Sequence, residues 1–212
     1  MENKKSKYII LLCCAVYFVS YLTRLDYSVV MVDIIRTDGI SKEMASLPLT
    51  VLAITYAVGQ LVSGYLGDRI KPEKIILLGL SGSSIMNILM TFLPVFVRPV
   101  LWGANGFFQA MIWPPLVRIL SGTFDNDTYK KATLSVSLAS SIATIIMYLV
   151  APVIISVTSW HFVFITSAVI TLTVCVIWHI FSKKSITAEL KSLKRKIMKA
   201  QKLKALLQLS VL

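Results

Sequence analysis

The sequence predicts an all-α membrane protein with six transmembrane helices, and three observations carry that prediction. Apolar stretches of about 20 residues recur along the 212-residue chain, each long enough to cross a hydrocarbon core roughly 30 Å thick. Only 15% of the residues are charged against 56% hydrophobic, whereas a soluble domain keeps about a quarter of its residues charged and cuts its apolar runs short. The net charge of +12 is gathered into the segments between alternate apolar stretches and into the end of the chain.

The spans fall at residues 8–35, 47–66, 75–97, 100–122, 134–157 and 162–181. Residues 1–7 precede the bundle, residues 8–182 form it, and residues 183–212 are a basic amphipathic tail. Its Leu190, Leu193 and Ile197 share one side, which suits the anionic inner leaflet. The lysine-led first span is too long for a signal-peptide core and has no A-x-A site after it, so it is expected to be retained. Gly39 ends the first helical region, and Ser41, with Glu43 behind it, caps the second.

Cations orient the chain. With the start inside, the inner segments hold Lys4, Lys5, Lys7, Arg69, Lys71, Lys74, Lys130, Lys131 and the many lysines of the tail. The outer segments hold Arg36, Lys42 and Arg98. This asymmetry puts both termini in the cytoplasm of a cell-membrane protein and removes any need for a nucleic-acid partner. Cys13, Cys14 and Cys175 lie in apolar runs as small hydrophobes, and no spacing suggests a metal, a cofactor or a disulfide frame. No nucleophile–base pair or phosphate loop argues for an enzyme. Trp160-His161-Phe162 opens the sixth span in the manner of an interfacial aromatic belt.

Small residues mark close helix approach: Gly59, Ser63, Gly64 and Gly67 in the second span, Gly79, Gly82, Ser83 and Ser84 in the third, Gly103 and Gly106 in the fourth. In the first span Tyr17, Tyr21, Arg24 and Ser28 fall on one helical face, a polar stripe suited to an anion. An intramembrane arginine costs at least about 2.5–3.5 kcal/mol on insertion scales, so it faces a cavity or a partner. The competing account pairs Arg24 with Asp26 or Asp33. In the fourth span Asn105 and Gln109 stand one turn apart, and Pro114-Pro115 interrupt the backbone ladder ahead of Arg118.

Gly64-Tyr65-Leu66-Gly67-Asp68-Arg69 with Lys71 and Lys74 behind it, at the turn between spans two and three, resembles the signature loop of the major facilitator superfamily. The family's usual second glycine is Lys71 here. The resemblance implies the N-terminal half of that fold, with Gly64, Asp68 and Arg69 in a conformational latch. Gly-x-x-Gln-x-x-x-Trp-Pro-Pro-x-x-Arg, ending at Arg118, is similar to the fourth helix of the organophosphate–phosphate antiporters, the glycerol-3-phosphate antiporter type. Tyr21-Leu22-Thr23-Arg24 is similar to that family's segment bearing its phosphate-binding arginine. The related anion–cation symporters share arginines at the positions of Arg24 and Arg118.

Two departures from the antiporters stand out: Gln60 replaces a lysine and Ser141 a histidine. The resemblance therefore implies a small organic anion, an organophosphate or a sugar acid, held by Arg24, Tyr21, Tyr17, Gln109, Asn105 and Arg118. Arg118 serves equally well in the latch, opposite Asp68. Because family members have two six-helix halves, the chain is expected to be a fragment that needs a C-terminal half, or a half that pairs with a second copy. Two alternatives stay open: a non-transporting membrane binding or assembly protein, and half of a proton-coupled sugar-acid symporter using Asp26 or Asp33.

Overall fold

The computed structural model describes residues 2–182, and side chains from Ser6 onward apart from that of Asp68. The tail at 183–212 and the carboxylate proposed for the latch lie outside the described residues. The described chain is helical throughout: α1 (Glu2–Asp38), α2 (Lys42–Arg69), α3 (Pro72–Met90), α4 (Arg98–Gln109), α5 (Trp113–Thr123), α6 (Asn126–Val157) and α7 (Trp160–Ser182). Five of these, all but α4 and α5, are long and apolar enough to cross a membrane. The sixth crossing is α4 and α5 together.

The turns follow from local chemistry. Gly39 adopts φ +64°, a left-handed conformation that stops α1 without the Cβ clash another residue would meet. Ser41 Oγ accepts the Met44 N–H at 3.3 Å and caps α2 as expected. Asp125 caps α6 by accepting the Thr128 N–H, and the Thr128 side chain together with that N–H holds its carboxyl below the usual range.

Three expectations are corrected, on span three, Trp160 and Gly64, and the expected break in span four is located. Span three stops at Met90, and a turn through Pro94 with a 3-10 segment at Val95–Val97 leads into α4. Span four breaks: Met111 and Ile112 donate to Phe108 and Gln109 carbonyls three residues back. Neither Pro114 nor Pro115 has an N–H to continue the ladder, and the first turn of α5, where none is needed, accommodates both. Trp160 does not face an interfacial belt; it is 2% exposed, donates to Thr37 Oγ1 at 3.1 Å and stacks on His161 at 3.6 Å. At Gly64, expected to sit in a close helix contact, a Cβ would meet only open space.

Gly59, Gly79, Gly82, Gly103 and Gly106 do bring helices together. α2 packs along α4, α1 along α6, and α3 against α4 and α5. A Cβ at Gly106 would stand 2.5 Å from the Leu52 carbonyl oxygen, and one at Gly79 would stand 2.8 Å from that of Phe108. Both glycines are required by backbone proximity. Thr55 Oγ1 hydrogen-bonds the Gly103 carbonyl oxygen at 2.7 Å across the first of these contacts.

Two apolar layers fill the bundle. One gathers Ile9, Val16, Ile76, Leu116, Ile119 and Trp178 toward the end where α2 meets α3. The other gathers Leu22, Tyr27, Leu52, Trp102, Trp160 and Phe164 toward the opposite end. At that opposite end Arg98 pairs with Asp38 at 2.5 Å and lies over the Trp160 ring, 5.0 Å from its centroid, joining α1, α4 and α7.

Candidate functional site

The helix faces separate the residues of the polar stripe from their neighbours in sequence. Arg24 lies mid-span, fourteen residues or about 20 Å from the Asp38 end of α1. Its guanidinium carbon stands 4.2 Å from the centroid of the Tyr56 ring on α2 and 5.7 Å from that of Tyr21. Tyr21 meets Tyr17 edge-on at 5.1 Å, and Tyr17 meets Trp113, the first residue of α5, at 4.8 Å. These four rings and Arg24 form one half-buried cluster contributed by α1, α2 and α5.

Arg24 has no carboxylate within ion-pairing distance among the described residues. The pairing with Asp26 or Asp33 is therefore not formed. Asp26 is wholly buried on another side of α1; its Oδ1 accepts the Tyr27 N–H at 2.8 Å and its Oδ2 has no partner. Aromatic faces supply Arg24 with about 0.5–2 kcal/mol of cation–π attraction. They leave its five N–H donors without the planar anionic acceptor that a guanidinium fits best.

Asn105 and Gln109 sit elsewhere. Asn105 is 0% exposed and Gln109 is 4% exposed, both turned into the joint of α1, α3 and α4. Gln109 Nε2 donates to Thr23 Oγ1 at 2.9 Å and to Ser83 Oγ at 2.8 Å. Ser83 Oγ donates to Asn105 Oδ1 at 2.6 Å, and Asn105 Nδ2 donates to the Thr23 carbonyl oxygen at 2.9 Å. Asn87 Nδ2 donates to the same carbonyl and to that of Ser83. Among this group's buried side-chain atoms, only Asn87 Oδ1 lacks a partner. These amides are occupied with one another.

Arg118 is also separate from the cluster. Its Nη1 lies 3.5 Å from where a Cβ on Gly67 would stand, beside the signature turn. Arg24 contacts α2 at Tyr56, eleven residues or about 16 Å from Gly67 along that helix. Arg69, exposed at the end of α2, covers the Tyr65 ring at 4.4 Å.

Sequence reasoning did not single out Tyr56 or Trp113 for the site. Tyr56 stands one turn before Gln60, the position that departs from the antiporters, so the two share a face of α2. That spacing was the available signal.

The Major Facilitator Superfamily model matches residues 13–211. A probable hexose phosphate transport protein of Chlamydia trachomatis is 34% identical over 50% of this chain and 23% of its own length. The glycerol-3-phosphate transporter of Bacillus subtilis is 30% identical over 49% of this chain and 24% of its own length. The matched stretch thus spans about a quarter of these curated relatives. A crystal structure of a peptide transporter bound to sulfate superposes with a TM-score of 0.73 at 13% identity, covering 96% of this chain and 45% of that one; it shows the fold. The described helices carry the six crossings of that fold, and the chain belongs to the Major Facilitator Superfamily.

Proposed function

We propose that this chain forms one half of a secondary transporter that moves a small organic anion, an organophosphate or a sugar acid, across the cell membrane by alternating access. The observation that carries the reading is Arg24: a guanidinium at mid-membrane depth, ringed by Tyr17, Tyr21, Tyr56 and Trp113 and unpaired with any carboxylate among the described residues. A bidentate phosphate or carboxylate satisfies that fork and neutralises its charge. The phosphate-ester names of the relatives support the organophosphate class. The other half of the site comes from a second six-helix bundle, either a C-terminal half or a second copy. The proximity of Arg118 to Gly67 supports a latch of Gly64, Asp68, Arg69 and Arg118 that opens as the halves rock.

Binding of glycerol 3-phosphate, glucose 6-phosphate and glucuronate to the purified protein tests the site. Arg24→Gln is expected to weaken the preferred anion by roughly 30-fold to several-thousand-fold, as about 2–5 kcal/mol of a charged hydrogen-bond partner implies. Arg24→Lys keeps the charge but loses the fork and falls between. Unchanged affinity in Arg24→Gln would refute the anion site.

The orientation rests on the distribution of lysine and arginine. In a background with Cys13, Cys14 and Cys175 replaced, a cysteine at Ser41 should react with an impermeant thiol reagent added outside. One at Asn126 should react only after permeabilisation. The reverse pattern inverts the topology.

A second reading, proton coupling, is favoured by Asp26. A wholly buried carboxyl with a free Oδ2 is a group that can take and release a proton as the bundle moves. In proteoliposomes, Asp26→Asn should abolish uptake driven by a pH gradient and leave anion exchange intact. Uptake indifferent to the gradient in the unmutated protein rules this reading out.

A further inference from the structure

The end of the bundle away from the α2–α3 turn is held by one cluster, and none of its residues belongs to the Arg24 cluster. Asp38 is the last residue of α1 and pairs with Arg98, the first of α4. The Arg98 guanidinium carbon lies 5.0 Å from the centroid of the Trp160 ring, at the start of α7. Trp160 donates its indole N–H to Thr37 Oγ1, which lies 3.1 Å from Asp38 Oδ1. The half-buried imidazole of His161 stacks on the same indole, with ring centroids 3.6 Å apart and planes 21° apart. Its Nδ1 stands 3.4 Å from Ser159 Oγ.

This clasp is finely balanced. An anion at the C-terminus of α1 and a cation at the N-terminus of α4 each face the repulsive end of a helix dipole, so each depends on the other. The grip between them is single: Arg98 donates through Nη1, while its Nε is buried and has no partner. A guanidinium can hold a carboxylate through two such bonds. The charges acting at the imidazole come from α1, as Asp38, and from α4, as Arg98. α6 carries no charge after Lys131, and Lys42 and Glu43 at the start of α2 are exposed. Tyr27 of α1 lies in the field of the same pair, with its hydroxyl donated to the Ala45 carbonyl oxygen at 2.9 Å. One carboxylate and one indole are thus shared by Arg98 and any second cation that forms beside them.

We infer that His161 is an acid switch on this clasp: on taking a proton it competes with Arg98 for Asp38 and the indole, and frees the start of α4 from α1 and α7. The neutral ring asks nothing of Asp38 and stacks on the indole beside Arg98. The imidazolium brings a second positive charge into a corner with one counter-charge, where the second cation is left uncompensated. Arg98 is the one to leave, because the α4 dipole already opposes it while His161 is tethered next to Trp160 in the chain. In the proposed orientation the switch faces the outside, and acid there loosens the outer end of the bundle.

Hydrogen exchange of the purified full chain in detergent tests the switch without any substrate, so its outcome is separate from that of the Arg24 site. The reporters are the amides of Val97 and Arg98, bonded to the Pro94 and Val95 carbonyls, and that of Gly39, bonded to the Ile35 carbonyl. Between about pH 8 and about pH 5, which bracket the usual histidine value near 6.5 and keep Asp38 ionised, a proton is gained at His161. After correction for the intrinsic pH dependence of exchange, protection at these amides should fall roughly two- to thirtyfold, the span of one lost cation–π contact. His161→Gln should stay protected at both pH values. His161→Arg carries a permanent cation and should be as poorly protected at about pH 8 as the unmutated chain is at about pH 5. Equal protection of the unmutated chain at the two pH values overturns the inference. An acid response that survives in His161→Gln assigns it to another group and overturns it too, as does full protection of His161→Arg at about pH 8.

Discussion

Thr23 and Arg24 are consecutive residues of α1, about 100° apart around the helix, and the bundle treats them in opposite ways. Thr23 faces α3 and α4, where its hydroxyl and carbonyl receive donors from Gln109, Asn105 and Asn87 in a joint closed to solvent. Arg24 faces α2 and α5, where it meets aromatic rings and, among the described residues, no anionic acceptor. The first arrangement uses up its polar groups in holding three helices together. The second leaves a cation's donors unspent. Buried amides whose partners lie on neighbouring helices have their polar groups already used, while a half-buried arginine packed on tyrosines keeps donors that a ligand can take, which is why the proposed site is centred on Arg24.

The contrast breaks most sharply at Arg24. The large loss of anion affinity expected for Arg24→Gln should come with an unchanged melting temperature in detergent, because no described partner is orphaned and an intramembrane charge is removed. A fall in stability would return Arg24 to a structural role.

Asn105→Leu should do the reverse. It removes the acceptor of Ser83 Oγ and one of the two side-chain donors to the Thr23 carbonyl in a closed joint, a loss of about 1–3 kcal/mol for buried polar groups left under-satisfied. Denaturation in a detergent series measures it, and anion affinity of the folded fraction should stay within roughly threefold. A large affinity loss with normal stability would move Asn105 back into the site.

The smallest effect tests the rings. Tyr56→Leu removes a cation–π partner and should weaken anion binding by about 0.5–2 kcal/mol through a less well-held Arg24. Tyr56→Phe keeps the ring face and should change it by less than about 0.5 kcal/mol. A larger effect in Phe than in Leu would give the hydroxyl, rather than the ring, the working role.

The linear sequence was enough for the number of spans and most of their bounds, the caps at Ser41 and Gly39, the signature turn, the family and the face that Arg24 shares with Tyr17 and Tyr21. Each depends on hydropathy, on spacing along one helix or on a contiguous motif, all of which are local. The destination of each polar side chain was not local. Asn105 and Gln109 carry the same one-turn spacing whether they line a cavity or bridge to Thr23 and Ser83. Only the close approach of α1, α3 and α4 turns them inward. The proline pair announced a break in the fourth span, but its position at Ala110–Ile112 depends on α5 beginning at Trp113 against Tyr17. Trp160 illustrates the same division. Its position at a span end reads as an interfacial ring, yet Thr37 and Arg98, 123 residues and 62 residues away in sequence, draw it into the core. Side-chain periodicity gives direction relative to one helix axis, whereas the neighbour in that direction exists only once the helices have packed.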